Sequence, residues 1–504
     1  MKKLSLLFIG ILSMSNVMAQ DISDALRYSQ EEIQGTARFR ALSGAFGALG
    51  GDLSAISINP AGAAIFSRSY ASVSLSSYNT SNDINYYNGF NTSSDYKFDL
   101  NQTGASFVFN NMSNSPWRKL VLSVAYDKVS TFDNNWYASG ISPNSIDSYF
   151  LAYAQGLRLD EISALPGESY TQAYSEIGSI FGYGNQQAFL GYESYILEPE
   201  NNTDENTSYF SNIAQGNFNQ QYSYNARGYN GKFSFNIATQ FNNNIYFGLN
   251  LNSHFLNYER LTYLNETNSN AGSIVNQVGF ENGLYTTGTG FSFQLGMIAK
   301  LTNELRFGLS YNSPTWYNIY DETTQYLSTT RNDNGSNITQ VINPNIINIY
   351  PRYQLQSPSK FTGSLAYIFG DKGLISFDYS RKDYSNIKFK PTTDPYFASQ
   401  NSMIDRFLTS SATYRFGGEY RYKQISFRGG YRFEESPYKD STFYGDLTGY
   451  SLGLGYNFGN FKLDLSFDQS DRTINEQLYS VGLTDTARID SKISNVILSL
   501  GFNL

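Results

Sequence analysis

The 504-residue sequence has no cysteine, one histidine and 3 tryptophans, and charged residues make up only 15% of it. A chain without cysteine forms no disulfide framework and lacks the thiolate ligands that most structural zinc sites use. Ser-His-Asp chemistry would depend on His254 alone, and nothing else in the sequence resembles a catalytic site. We therefore expect no enzyme activity, no metal and no cofactor.

Long hydrophobic runs are also missing. The mean hydropathy of −0.39 leaves no room for the repeated runs of about 20 apolar residues that a polytopic helical membrane protein needs. Acidic residues outnumber basic ones by 43 to 35, and the net charge of −8 argues against a nucleic-acid partner. Tyrosine, phenylalanine and glycine are abundant, at 42, 37 and 42 residues. This composition is typical of a large β protein, and a closed barrel would use the whole length as one unit.

The N-terminal residues Met1–Ala19 have the pattern of a signal peptide. Lys2 and Lys3 precede an apolar stretch over 4–14, and a small residue ends the segment. The alternative is a plain N-terminal anchor, but the apolar stretch is shorter than the roughly 20 residues of a spanning helix. We expect an exported protein.

Most of the remaining chain alternates apolar and polar residues with a period of two, which is the pattern of a strand with two different faces. A soluble sandwich alternates too, but here the segments approach the 9–11 residues of a tilted membrane strand, and short and long connections alternate. The pattern predicts a 14-stranded antiparallel transmembrane β-barrel, with strands near 68–79, 97–110, 118–131, 221–240, 245–260, 285–301, 304–322, 357–369, 373–390, 408–422, 425–438, 446–458, 461–475 and 489–504.

An even number of strands places both chain ends on the periplasmic side of a bacterial outer membrane. The last strand ends in an apolar face that runs from Val496 to Leu504. It resembles the terminal signal read by the outer-membrane barrel assembly machinery. We therefore expect that machinery and outer-membrane lipid as partners, and a monomer.

Residues 20–67 do not alternate and precede the first strand. A short helical pattern over 21–33 is followed by a stretch rich in glycine and alanine that spells no nucleotide-binding loop. The barrel interior or its rim is the place where such a segment would pack. The predicted organisation is a signal peptide at 1–19, a compact plug at 20–67 and a barrel at 68–504.

The stretch ending in Asn-Pro-Ala-Gly, just before the first strand, resembles the N-terminal hatch of the FadL/TodX family of long-chain fatty-acid and hydrocarbon transporters. The resemblance implies a fourteen-stranded outer-membrane barrel whose small hatch is held against the wall by Asn59 and gates the uptake of hydrophobic small molecules. The fixed φ of Pro60 and the extended conformation it imposes on Asn59 suit a turn in such a hatch. The residues predicted to form the hatch and its gate are Gly44, Gly47, Gly50, Gly51, Asn59, Pro60, Ala61 and Gly62.

A long polar insertion at 132–220 contains apolar residues at helical spacing. They either pack on one another as a lid or line an extracellular groove that captures apolar ligand, as the resemblance implies for this region. The candidates for such a groove are Phe150, Leu151, Tyr153, Ala154, Tyr174, Ile177, Phe189 and Leu190.

Asp127 and Lys128 interrupt the apolar face of the third predicted strand, which makes them candidates for a lateral gate into the bilayer. Other functions stay open at this point: a general diffusion porin, a haemin or aromatic-hydrocarbon receptor of the same barrel type, or an adhesive surface protein. The hatch favours a gated channel, because porins begin almost directly with their first strand.

Overall fold

The computed structural model describes residues 21–333 and 335–504, and the predicted signal peptide lies outside them. The strands, numbered in chain order, are β1 Tyr70–Tyr86, β2 Gly89–Asn110, β3 Trp117–Thr131, β4 Asn134–Ser142, β5 Leu197–Pro199, β6 Tyr209–Ser211, β7 Phe218–Phe241, β8 Ile245–Thr267, β9 Val275–Lys300, β10 Leu305–Asn312, β11 Trp316–Asp333, β12 Ser336–Ile342, β13 Asn348–Ile349, β14 Tyr353–Gln356, β15 Lys360–Ile368, β16 Gly373–Asp383, β17 Lys388–Lys390, β18 Ser410–Tyr422, β19 Ile425–Glu434, β20 Leu447–Asn457, β21 Phe461–Gln477 and β22 Thr486–Asn503.

Over this described part of the chain, the strands close into one antiparallel barrel with fourteen wall strands. β22 pairs back with β1, from Asn503 opposite Tyr70 to Arg488 opposite Asn85. Two wall strands consist of two segments each, β10 with β11 and β14 with β15. The predicted fourteen-stranded antiparallel barrel is confirmed. Several predicted strand ends are wrong, because hairpins such as β1–β2 continue beyond the apolar band as polar ribbons that alternation alone marks weakly.

The period-two pattern separates a lumen face from a membrane face. In β21, Asp464 and Asp468 are buried inside the barrel, whereas Leu465 and Phe467 are exposed on the outside. Each polar lumen residue therefore alternates with an apolar residue that faces lipid, as in other barrels of this class.

The N-terminal segment Asp21–Phe66, called the plug below, lies inside the barrel. It contains helix α1 (Ile22–Ser29), helix α2 (Ala37–Ala41) and two 3-10 turns, Ser54–Ser57 and Pro60–Ile65. A barrel of eight strands is just filled by its own side chains, so one with fourteen needs additional chain to close its lumen.

The two ends of the barrel differ. Tight turns join the strands at one end, here called the short-turn end, where the backbone N–H of Leu504 donates to Ser69. The opposite end, called the long-loop end, carries helices α3 Asp147–Ala154, α4 Tyr170–Ile180, α5 Tyr183–Glu193 and α6 Pro395–Phe407. None of the helices in the described ranges is long and apolar enough to cross a membrane.

One expectation about the long-loop end needs correction. The insertion predicted at 132–220 contains a further strand, because Asn134–Ser142 forms β4 and pairs with Phe218–Ala226 of β7. The connection between β17 and β18 contains α6, and α1 of the plug contacts α6.

Candidate functional site

Asn59 joins the plug to the barrel wall. It is fully buried, and its side-chain amide donates to the carbonyl of Gly47 at 2.7 Å, to Met297 of β9 at 3.0 Å and to Leu309 of β10 at 3.3 Å. Its side-chain oxygen accepts from the backbone N–H of Ala61 and caps the turn that begins at Pro60. One side chain therefore satisfies backbone groups of both the plug and two wall strands.

Wall glycines make room for this contact. Gly248 and Gly296 are paired on β8 and β9, and a Cβ at Gly296 would lie 2.0 Å from the side-chain oxygen of Asn59. A Cβ at Gly248 would lie 2.2 Å from the carbonyl carbon of Pro60. Only glycine allows the plug backbone to approach the wall this closely.

Charged side chains hold the other side of the plug. Arg40 forms a bidentate ion pair with Asp468 of β21, with both N–O distances 2.8 Å. Arg38 donates to Glu419 of β18 at 2.9 Å. The backbone N–H groups of Phe46 and Gly47 donate to the carboxylate of Asp378 on β16. These contacts enclose the plug within the wall on several sides.

Three of the five glycines predicted to form the hatch lie at its tight turns, whereas Gly47 lies against Ser364 of the wall and Gly62 lies within the turn Pro60–Ile65. Gly50 and Gly51 have φ values of +61° and +69°, a region that favours glycine, and the N–H of Gly51 donates to the carbonyl of Gly62. Gly44 also has a positive φ, of +74°. These residues give the plug its compact path.

A cavity of about 260 Å³, called the lumen cavity, lies between the plug and the wall on the side of the long loops. Its apolar lining includes Phe132, Tyr258 and Ile474. Its cationic lining consists of Arg27, Arg40, Lys360, Lys382, Arg415, Arg432 and Arg472. The same lining carries six carboxylates, those of Glu31, Glu32, Asp133, Glu434, Glu435 and Asp471. The cavity therefore combines aromatic and aliphatic surface with charges of both signs.

Arg415 and Arg432 are direct neighbours on β18 and β19. Arg415 is only 9% exposed, and its Nε has no hydrogen-bond partner. Among the described residues, no carboxylate lies within 4.0 Å of either guanidinium. Asp378 of β16 is the register partner of Arg415 but forms no direct ion pair with it. Two adjacent guanidinium groups without a direct ion pair are suited to binding an anion.

Plug residue Glu31 forms ion pairs with both lysines of the cavity. Its carboxylate lies 2.5 Å from Lys360 and 3.4 Å from Lys382. Enclosure in the barrel would raise the pKa of Glu31, but the two ammonium groups outweigh it and hold that pKa well below its usual value. Glu31 therefore stays ionised, and its single negative charge offsets one of the two lysine charges.

Asp127 and Lys128 lie where the wall becomes irregular. The backbone ladder between β2 and β3 runs from Asn110 opposite Lys119 to Gln102 opposite Asp127 and stops there within the described residues. Beyond this point side chains bridge the two strands, including an Asp99–Lys128 ion pair. A plug contact fills the irregularity, since the N–H of Glu32 donates to the carbonyl of Val129 at 2.9 Å.

The gap above this point, called the β2–β3 gap, is lined by aromatic and charged side chains. Tyr96 and Phe98 of β2 are 73% and 70% exposed on the membrane face. Lys97 reaches across to Asp133 at 2.6 Å. In this part of the wall, side-chain contacts bridge the two strands in place of the β2–β3 backbone ladder.

The groove candidates of the long insertion lie mostly in the core of a lid. Phe150, Ala154, Phe189 and their neighbours pack with Phe280 of β9 and Tyr479 after β21. Of the eight candidates, six are buried, and only Leu151 and Tyr153 are partly exposed. As the structure stands, the six buried side chains pack the lid and line no open groove, because their apolar faces cover one another.

His254 contacts other residues of the barrel wall. Its Nε2 lies 2.8 Å from Ser292 Oγ on the next strand, and its ring packs against Tyr317. Among the described residues, no group of three or more His, Asp and Glu side chains is placed to hold a metal ion.

Sequence reasoning missed the wall residues that receive the plug. The alternation places Asp378, Glu419 and Asp468 on the polar faces of their strands, but it does not indicate their plug partners. Gly248 and Gly296 lie at lumen-facing positions, and the other residues on the same strand faces are polar. A glycine at such a position could have indicated that the plug approaches the wall closely there. The arginine pair depends on strand register, which the sequence does not supply.

A closed antiparallel barrel with apolar residues on its outer face and a plug in its lumen is the architecture of an outer-membrane barrel protein. A family model described as outer membrane protein transport protein (OMPP1/FadL/TodX) matches residues 200–504. The chain belongs to this family of outer-membrane transport proteins.

Solved structures share the fold. A FadL homologue from Pseudomonas aeruginosa is 12% identical, with 94% of this chain and 99% of that chain covered and a TM-score of 0.53. The toluene transporter TodX of P. putida is 13% identical, with the same coverage and a TM-score of 0.53. A comparison with curated proteins found no match.

Proposed function

We propose that this protein takes up amphiphilic hydrophobic molecules with an anionic end, such as long-chain fatty acids, across the outer membrane, and that the plug gates the passage. The observation that carries the proposal is the Arg415–Arg432 pair in a cavity that also has apolar walls. An anionic head would neutralise the pair, and the chain would lie along Phe132, Tyr258 and Ile474. A purely apolar hydrocarbon would leave the guanidinium groups unpaired.

The passage is proposed to run from the long-loop end, taken as extracellular, past the plug and through the β2–β3 gap into the bilayer. The residues of the gate would be Asp127 and Lys128, and the plug contact at Val129 would hold the gap closed. The glycine turns and Asn59 would act as the moving and anchoring parts of the plug. A lateral exit spares an apolar chain any passage through water.

A general diffusion porin is the alternative function, and the filled lumen argues against it. The plug contacts wall strands on several sides of the barrel, including β9, β10, β16, β18 and β21. Wild-type protein is therefore expected to conduct almost no ions in a planar bilayer.

The ligand class is tested with two ligands that differ only at the head. Arg415→Gln with Arg432→Gln should reduce uptake of a long-chain fatty acid about tenfold or more, since hydrogen bonds to charged groups contribute about 1.5–3 kcal/mol. Uptake of the alcohol of the same chain length should change little. Arg227→Gln, at an exposed arginine paired with Glu259, is the matched control. Equal losses for acid and alcohol, or no fatty-acid uptake by wild type, would overturn the proposal.

The gate is tested by bridging the gap. Cysteines at Lys97 and Asp133, joined by a short bis-maleimide, should abolish uptake without changing the folded barrel. Cysteines at Asn79 and Ser494, which are register partners in the continuous β1–β22 ladder, serve as the control pair. Full uptake by the bridged variant would place the exit elsewhere.

A further inference from the structure

Two neighbouring wall strands are interrupted at the same level. β10 ends at Asn312 and β11 begins at Trp316, while β14 ends at Gln356 and β15 begins at Lys360. Asn312 is paired with Lys360 and Trp316 with Gln356, so the two three-residue breaks face each other. Each break has the form Ser-Pro-Thr or Ser-Pro-Ser, with Pro314 and Pro358 at the centres. We call this feature the paired break.

Serine side chains take over part of the hydrogen bonding at the paired break. Ser313 Oγ accepts from the N–H of Phe293 at 3.0 Å, and Ser357 Oγ accepts from the N–H of Thr315 at 2.8 Å. The two prolines contribute no N–H. Irregular backbone at membrane depth is tolerated only where it is covered, since lipid tails offer no hydrogen bonds. The paired break is therefore a part of the wall whose backbone needs to be covered.

The paired break lies just below an aromatic girdle, within the apolar band. Trp316 stacks with Phe291 on the membrane face, which marks the membrane boundary on the long-loop side. Tyr311 and Phe361 lie next to the break with their ring centroids 4.8 Å apart. The depth of the break is thus that of lipid acyl chains.

A groove of about 780 Å³, called the outer groove, opens on the membrane face beside the paired break. Its walls include Leu295, Leu309, Tyr311 and Phe361. Its lining also includes Gly363, where an added Cβ would meet nothing within 4 Å. The absence of a side chain at Gly363 leaves space for a flexible acyl chain.

The rim of the groove toward the long-loop end carries Arg381. This side chain is exposed, and its guanidinium donates to Ser410 Oγ at 2.9 Å. No carboxylate among the described residues lies within 4.0 Å of it. The nearby Asp383 is engaged in capping the turn at Ser385. Arg381 is the register partner of Phe361, and its guanidinium extends from that level toward the long-loop end, where Ser410 pairs with Asp383.

We propose that the outer groove is a binding site for one anionic membrane lipid, with an acyl chain lying over Gly363 and a phosphate or carboxylate of its headgroup on Arg381. The lipid covers the paired break, where Pro314 and Pro358 contribute no N–H to the backbone ladder. The proposal commits to a resident lipid because the groove opens to the membrane and the guanidinium of Arg381, which has no carboxylate within 4.0 Å among the described residues, lies at its long-loop rim, whereas Asp383 accepts hydrogen bonds from Ser385. It does not depend on the transported ligand.

The test is native mass spectrometry of the barrel released from nanodiscs that contain anionic and zwitterionic lipids of the same chain length. Wild type should retain one anionic lipid per chain. Gly363→Leu, which fills the groove, should lose it, and Arg381→Gln should retain at least several-fold less. Gly418→Leu is the matched control, at another membrane-facing glycine where an added Cβ would meet only the Leu374 carbonyl oxygen at 3.9 Å.

Four results would overturn the proposal. Equal retention by all variants would show that lipid binds elsewhere, and equal retention of zwitterionic lipid would remove the role of Arg381. Loss from the Gly418→Leu control as well would show a general effect of the substitution. Retention of an added free fatty acid in place of the lipid would assign the groove to the transport path. A failure of fatty-acid uptake in wild type would leave this result untouched, so the two proposals fail separately.

Discussion

Asn59 of the plug lies directly against Gly296 of the wall, so closely that a Cβ at Gly296 would be 2.0 Å from the Asn59 side-chain oxygen. The same asparagine donates to carbonyl groups of the plug and of two wall strands. The side chain of Asn59 and the absence of a side chain at Gly296 together set the position of the plug. Closure of the lumen thus depends on a wall position that has no side chain.

Gly296→Val should displace the plug from β9 and open a steady ionic conductance in planar bilayers. Overpacking of this kind costs about 1–3 kcal/mol, enough to shift the docked plug without unfolding the barrel. Gly418→Val is the control, since its side chain would face the membrane where there is room. A silent Gly296→Val channel would contradict the close approach.

Asp468→Ala should loosen the plug by leaving Arg40 buried without its carboxylate. Removing one partner of a buried ion pair costs about 3–5 kcal/mol, whereas replacing both partners by apolar residues is often close to neutral. We expect faster proteolysis of the plug and a lower unfolding temperature, with most of the loss recovered in the Arg40→Met, Asp468→Met double variant. Arg227→Ala, which breaks the exposed pair with Glu259, should change neither readout.

Leu465→Arg should destabilise the barrel by about 2–4 kcal/mol, because it places a charge on the membrane face near the middle of β21. Leu465→Ala should cost less, and Glu200→Arg in the lid should cost almost nothing. Denaturant unfolding from lipid vesicles measures all three. Equal costs for the arginine variants at Leu465 and Glu200 would show that the inferred membrane face is wrong.

Surface labelling checks the orientation of the barrel. Single cysteines at Asn243, Lys372 and Asn460 of the short turns should resist an impermeant thiol reagent on intact cells. Cysteines at Asn202 and Asn337 of the long-loop end should react. The wild-type chain has no cysteine, so background labelling is absent. The opposite pattern would reverse the direction of uptake that we propose.

The faces of most strands were predictable because a period of two needs no tertiary information. In β8, Phe247 and Leu251 face lipid while Asn250 faces the plug. Prediction fails where a bulge shifts the period. Ser310 faces the lumen before the paired break, and Tyr317 faces the lumen after it. If β10 and β11 are treated as one alternating strand, the residues on one side of the break are assigned to the wrong face.

The sequence by itself determined the barrel, the number of wall strands and the presence of a compact segment before the first strand, since alternation, connection length and glycine content are local properties of the chain. Tertiary structure alone decided which wall residues receive the plug, that Arg415 and Arg432 stand side by side, and that two proline breaks meet. Each of these depends on strand register. Register depends on the geometry of each turn and on the hydrogen bonds between strands, and the alternation within one strand does not specify it.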